Sequence, residues 1–230
     1  MPVRLVFLSM ILFIGTIAYE CVLAGVPIKT NRPLVVIDPG HGGMDTGIIS
    51  SFSVPEKKIT LELSKKVAQI LDEVYEVMLT RTNDKIMSAE ERIAFANAQK
   101  ADLYISLHLA GPSARSGFFH YFSLPVGTTP DPVSKDSWKM APLVNEKMSQ
   151  VLAQTFASVF SSSEIRINFK TTASPVRLLG GALMPSILAE PLPISMLPQN
   201  KAKQAAVLNK FAHLIAQSIE IFLKKNKTGA

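Results

Sequence analysis

The stretch Val35-Val36-Ile37-Asp38-Pro39-Gly40-His41-Gly42-Gly43 constrains this chain more than any other. Val35, Val36 and Ile37 are apolar and β-branched, which suits a strand covered on both faces. Asp38 and Pro39 are expected to end that strand, because proline cannot donate to a ladder. The glycines around His41 let the backbone turn where a side chain would clash. The stretch therefore predicts a buried strand that delivers one imidazole to a loop at its carboxyl end, where open α/β sheets place their chemistry. A tight turn with an incidental histidine is the alternative reading of the same residues.

Further elements follow at the spacing of a βαβ chain. Ile59, Leu61, Leu63, Val67, Ile70 and Leu71 recur at helical period behind Pro55 and the first-turn acid Glu56. Tyr75 to Thr80 reads as a second strand. Ser88-Ala89-Glu90-Glu91 is a capping box that opens a helix to about Lys100. Asp102 to His108 is a third strand, again ending in a histidine. Gly117 to Phe122 and Pro185 to Glu190 read as later strands, and Pro175 to Leu179 as a short one. Leu124 to Trp138 reads as an irregular loop. A helix is expected over Leu143 to Phe160, with Val144, Met148, Val151, Leu152 and Phe156 inward. Another is expected over Asn200 to Lys224, with Ala206, Leu208, Phe211, Leu214, Ile215 and Ile219 inward. Alternating strands and helices predict an α/β fold: a single domain with a mostly parallel twisted sheet and helices on both faces.

At 230 residues the chain is long enough for a sizeable core. Its formal charge of +6 is spread along the sequence, which excludes a long basic arm for nucleic acid. Arg4 followed by the apolar run Leu5 to Ala18 and by Val22-Leu23-Ala24 reads as a secretory signal over residues 1–24, cleaved before Gly25. An uncleaved membrane anchor is the competing reading, although the run is short for a full span. Cleavage would remove Cys21, the single cysteine, and leave residues 25–230 as an exported domain, periplasmic or secreted, with no stable membrane insertion.

His41 and His108 end two strands and Glu56 opens a helix, all expected at one edge of a parallel sheet. Two imidazoles and a carboxylate form a common catalytic zinc set with a fourth position open to water. Glu190, ending a later strand at that edge, would serve as a base. Each residue also has a bland reading: a turn histidine, a core histidine, and a helix-dipole acid with Glu62 as rival. His120 and His213 read as structural. Arg177 reads as a surface arginine or as a carboxylate or oxyanion partner.

The chain resembles the zinc-dependent N-acetylmuramoyl-L-alanine amidases, bacterial cell-wall enzymes with a His-Glu-His site. The resemblance rests on six segments in order: Val36 to Gly43 with Asp45 and Gly47, Glu56 to Ile59, Tyr75 to Arg81, Ser88 to Asn97, Ala101 to His108, and Pro185 to Glu190. It implies zinc (Zn2+) on His41, Glu56 and His108, Glu190 as the catalytic glutamate, and peptidoglycan as substrate. The implied bond is the amide between N-acetylmuramic acid and L-alanine. A zinc peptidase acting within the stem peptide and a catalytically silent peptidoglycan-binding protein are the competing functions. Two segments depart from the family pattern. Leu109-Ala110-Gly111 follows His108 where the family often has a small residue and Asn. Pro191 to Ser195 follows Glu190 where Gly-Phe and a nearby Asn are usual. These departures bear on substrate contacts. The sequence identifies no activator protein and no inserted helix that would plug the site.

Overall fold

The computed structural model describes residues 32–128 and 137–227. The expected signal segment, Cys21, and the middle of the Leu124 to Trp138 loop lie outside the described residues.

Six strands form one sheet in the order β2-β1-β3-β6-β4-β5. They are β1 (Leu34–Pro39), β2 (Glu76–Leu79), β3 (Leu103–Leu107), β4 (Ser116–Phe122), β5 (Asn168–Ser174) and β6 (Ser186–Glu190). β2, β1, β3 and β6 run parallel to one another. β4 pairs antiparallel with β6 and parallel with β5, so the last two strands run the other way. Among the described residues, four α-helices accompany the sheet: α1 (Glu56–Leu71), α2 (Ala89–Ala98), α3 (Glu146–Ser161) and α4 (Lys201–Lys227).

Every residue of β1 is buried. Val35 and Ile37 join a core with Leu63 of α1, Phe156 and Phe160 of α3, and Phe211 and Ile215 of α4. Leu34 and Val36 join a second core with Ile93 and Ala96 of α2. The period-2 alternation of a strand thus feeds two apolar layers, as a doubly covered sheet requires. Ser88 caps α2 as its sequence predicts: Glu91 N donates to Ser88 Oγ at 3.1 Å and Ser88 N donates to the Glu91 carboxylate at 2.7 Å.

Several local expectations change. Pro39 belongs to β1, paired with Leu107, because its missing N–H falls where the strand is already ending. Residues 177–179 form a 3-10 turn rather than a strand. The strand lies just before it, at β5, whose sequence Asn-Phe-Lys-Thr-Thr-Ala-Ser is polar because it forms a half-exposed sheet edge. α3 starts later than its apolar pattern suggests, behind a 3-10 segment, Ser137–Asn145, that contains Pro142. Val144 therefore precedes the helix and is exposed, Val151 is also exposed, and Ser149, Leu152, Ala153, Phe156 and Phe160 face inward. Ala206 faces solvent, while Leu208, Phe211, Ile215 and Ile219 are buried as expected.

Candidate metal centre

Parallel pairing of β1 with β3 puts the ends of both strands side by side. Pro39 registers with Leu107, and Gly40 N donates to Leu107 O at 2.9 Å. His41 and His108 therefore leave the sheet as neighbours. Glycine makes this approach possible, because a Cβ on Gly40 would stand 2.5 Å from the His108 ring. Gly47 plays the matching part for His41, whose ring lies 2.6 Å from where its Cβ would be. Both glycines make room for the candidate ligands themselves.

The loop that carries His41 is held from beneath by two buried arginines. Arg81 donates to Pro39 O at 2.9 Å and to Gly40 O at 2.7 Å. Arg92 donates to Pro39 O at 2.9 Å and His41 O at 2.8 Å, and pairs with buried Asp38 at 2.7 Å. Asp38 also accepts from Ser106 Oγ at 2.7 Å and from the Thr80 hydroxyl. This network holds His41 at φ 61°, a left-handed conformation that a side chain adopts only at some cost.

His41, Glu56 and His108 converge with their donor atoms within 4.8 Å of one another. His41 Nε2 lies 3.2 Å from Glu56 Oε2, His108 Nδ1 lies 3.4 Å from Glu56 Oε1, and the two ring nitrogens are 3.1 Å apart. Tetrahedral zinc bonds of about 2.0–2.2 Å separate ligand atoms by roughly 3.3–3.6 Å, so the donor set fits such an ion. Each carboxylate oxygen of Glu56 is also fixed by a backbone amide: Leu109 N at 2.8 Å and Ile48 N at 3.0 Å. Asp45 Oδ2 meets His41 Nδ1 at 2.9 Å, which turns Nε2 toward the site as a carboxylate behind a metal-ligating histidine does.

Burial by itself would raise the Glu56 carboxyl. Contacts with His108 and His41 and the two amides outweigh it and hold the group well below the usual carboxylate range. Burial likewise lowers His41, but Glu56 and Asp45 prevail and raise it above the ordinary imidazole value. The rival Glu62 lies elsewhere on α1, half exposed and 3.7 Å from Lys66.

Glu190 ends β6, the strand paired with the one that leads to His108. Leu107 registers with Ala189, and His108 N donates to Ala189 O at 2.9 Å, so Glu190 and His108 both lie one residue past a paired position. Its carboxylate meets His120 Nε2 at 3.3 Å. The sequence alone does not indicate this partner, because the contact depends on the antiparallel register of β4 with β6, which no residue pattern specifies. Arg177 is exposed, 3.8 Å from Glu90, and lines a cleft of about 320 Å³ with His41, Asp45 and His108. His213 is exposed on α4.

Known proteins share parts of this sequence and its fold. A stretch of 89 residues is 36% identical to the N-acetylmuramoyl-L-alanine amidase AmiC of Neisseria meningitidis serogroup B, covering 37% of this chain and 21% of that relative. This chain spans under half the length of these curated relatives, among them the amidase AmiA of Escherichia coli K12, of which it covers 28% at 39% identity over 82 residues. Among solved structures, the N-acetylmuramoyl-L-alanine amidase from Clostridium difficile 630 superposes with a TM-score of 0.65 at 26% identity, covering 85% of this chain and 98% of that one. The amidase AmiC2 of Nostoc punctiforme shares the fold, with a TM-score of 0.65 at 24% identity over 84% of this chain and 97% of that one. Residues 35–221 match the family model described as N-acetylmuramoyl-L-alanine amidase, a span that takes in the sheet from Val35 onward and the His-Glu-His group, and the chain belongs to that family.

Proposed function

We propose that this protein is an exported, zinc-dependent N-acetylmuramoyl-L-alanine amidase that cuts the amide between N-acetylmuramic acid and L-alanine in peptidoglycan. The observation that carries the reading is the convergence of His41, Glu56 and His108 in an amidase-family fold, with Glu190 ending the strand paired with the one that leads to His108. His41 Nε2, the Glu56 carboxylate and His108 Nδ1 would hold zinc, which supplies an acidified water and a Lewis acid for the carbonyl.

The chain's own residues carry the protons. Glu190 takes a proton from the attacking water as oxygen bonds to the amide carbon. It returns that proton to the alanine nitrogen as the C–N bond breaks, so no covalent enzyme intermediate is required. Asp45 keeps His41 in the tautomer that presents Nε2. The amides of Leu109 and Ile48 each donate to one oxygen of the Glu56 carboxylate and fix its orientation.

Mass spectrometry of purified peptidoglycan digested by the zinc-loaded protein tests the reading. New L-alanine amino termini are expected. Cuts inside the stem peptide would mark a peptidase, and zinc binding without product would mark a silent binding protein. Glu190→Gln should keep its zinc and release no stem peptide; full activity in that variant overturns the assignment of the base.

A further inference from the structure

β4 sets Phe118 opposite Glu190 and His120 opposite Leu188. His120 is therefore the diagonal neighbour of Glu190 on the same face of the sheet, within reach of a side-chain contact. That contact is made: His120 Nε2 lies 3.3 Å from Glu190 Oε2, with side-chain exposures of 19% and 28%. The Phe118 ring stacks beside the imidazole, with centroids 5.8 Å apart and planes 22° apart, and restricts its rotation. Phe118 and Phe122 share this face with His120, so the position is one where an apolar residue would sit without the cost of burying a polar group.

The geometry points to His120 as a positioning residue for Glu190, which rests on the reading of Glu190 as the base. An Nε2–H donated to Oε2 fixes the carboxylate rotamer and leaves Oε1 to receive the water proton. A glutamate rotating freely about its side-chain bonds spends much of its time in unreactive poses, and holding it in one pose removes that cost from the barrier. The transferred proton moves from water to Glu190 and then to the departing amine. His120 keeps its own proton throughout.

Four zinc-loaded proteins test this: wild type, His120→Leu, His120→Gln and Glu190→Gln. In His120→Leu, kcat should fall about tenfold or more, as for loss of a partner that orients a reacting group, with zinc content unchanged. KM should stay within about twofold, because the contact does not involve bound substrate. His120→Gln, which keeps an amide donor near the place of Nε2, should recover most of the loss. Nitrogen NMR of the zinc-free wild type should show His120 protonated on Nε2. That measurement needs no variant to fold, and a proton resident on Nδ1 alone overturns the proposal. A His120→Leu protein with wild-type kcat, or a His120→Gln protein as slow as His120→Leu, overturns the positioning role while an inactive Glu190→Gln leaves the base assignment standing. An active Glu190→Gln overturns the base assignment, and the role of His120 with it.

Discussion

Arg92→Met removes a guanidinium shared by four acceptors beneath the candidate metal centre. Arg92 donates to Asp38 Oδ1 at 2.7 Å, Pro39 O at 2.9 Å, His41 O at 2.8 Å and Met87 O at 3.2 Å. The Asp38 side chain is 0% exposed and that of Arg92 is 5% exposed. Methionine replaces most of the stem, so packing changes little and the loss is electrostatic. Asp38 keeps its Thr80 and Ser106 hydroxyl donors but loses the cation paired with it at 2.7 Å. Removing one partner of such a pair costs about 3–5 kcal/mol. For a chain of this length that lowers Tm by roughly 6–20 °C. The assay is thermal and urea unfolding of zinc-free protein by circular dichroism, since bound metal would stabilise the native state by mass action. The double variant Asp38→Asn/Arg92→Met should be more stable than Arg92→Met alone, because neutralising Asp38 relieves the uncompensated charge. A loss below about 1 kcal/mol in Arg92→Met, or a double variant whose losses simply add, would refute the charge argument.

Gly40→Ala should leave the fold intact and lower zinc affinity by about tenfold or more, because its Cβ would meet the His108 ring at 2.5 Å; metal titration checks this, and unchanged affinity would show that the ring can move aside. Zinc affinity should also fall with falling pH. Glu56 and Asp45 raise His41, after its burial has lowered it, so its proton persists to higher pH and must be displaced by the metal. Below that raised pKa, affinity should drop about tenfold per pH unit for each displaced proton, measurable by competition with a chelating dye, and a flat profile from about pH 8 to about pH 6 would contradict the shift.

Legibility in the sequence follows the range of the interactions. β1, α1 and the α2 cap are written in local patterns: the β-branched run at 35–37, the helical period from Glu56, and Ser88 with Glu91. The convergence of His41, Glu56 and His108 is readable because a parallel sheet sends strand ends and helix starts to one edge. β5 is hard to read because a sheet edge can be polar on both sides, so Lys170 and Thr171 carry no burial signal. The proline that delays α3 acts through a 3-10 segment, which periodicity treats as part of the helix. The contact of His120 with Glu190 is long-range. It follows from an antiparallel register in an otherwise parallel half of the sheet, and His120 by itself looks like a polar residue in an aromatic strand.

The two departures from the family pattern are a single structural feature. The backbone after His108 meets the backbone after Glu190: Ala110 N donates to Leu192 O at 3.0 Å, Ile194 N donates to Ala110 O at 3.0 Å, and Ala110 bridges Pro193 in parallel. The β3–β6 pairing thus continues past both candidate site residues. Leu109, Ala110, Leu192 and Ile194 are each at most 2% exposed, so they pack beneath the site and do not line its mouth. The side chains of Leu109, Leu192 and Ile194 fill the apolar core, while the contribution to the candidate metal centre passes through the main chain, since Leu109 N donates to Glu56 Oε1. Any non-proline residue at 109 supplies that N–H. Two neighbouring segments can therefore exchange polar for apolar side chains together, each matched to the other, while the carboxylate of Glu56 keeps the same amide donor.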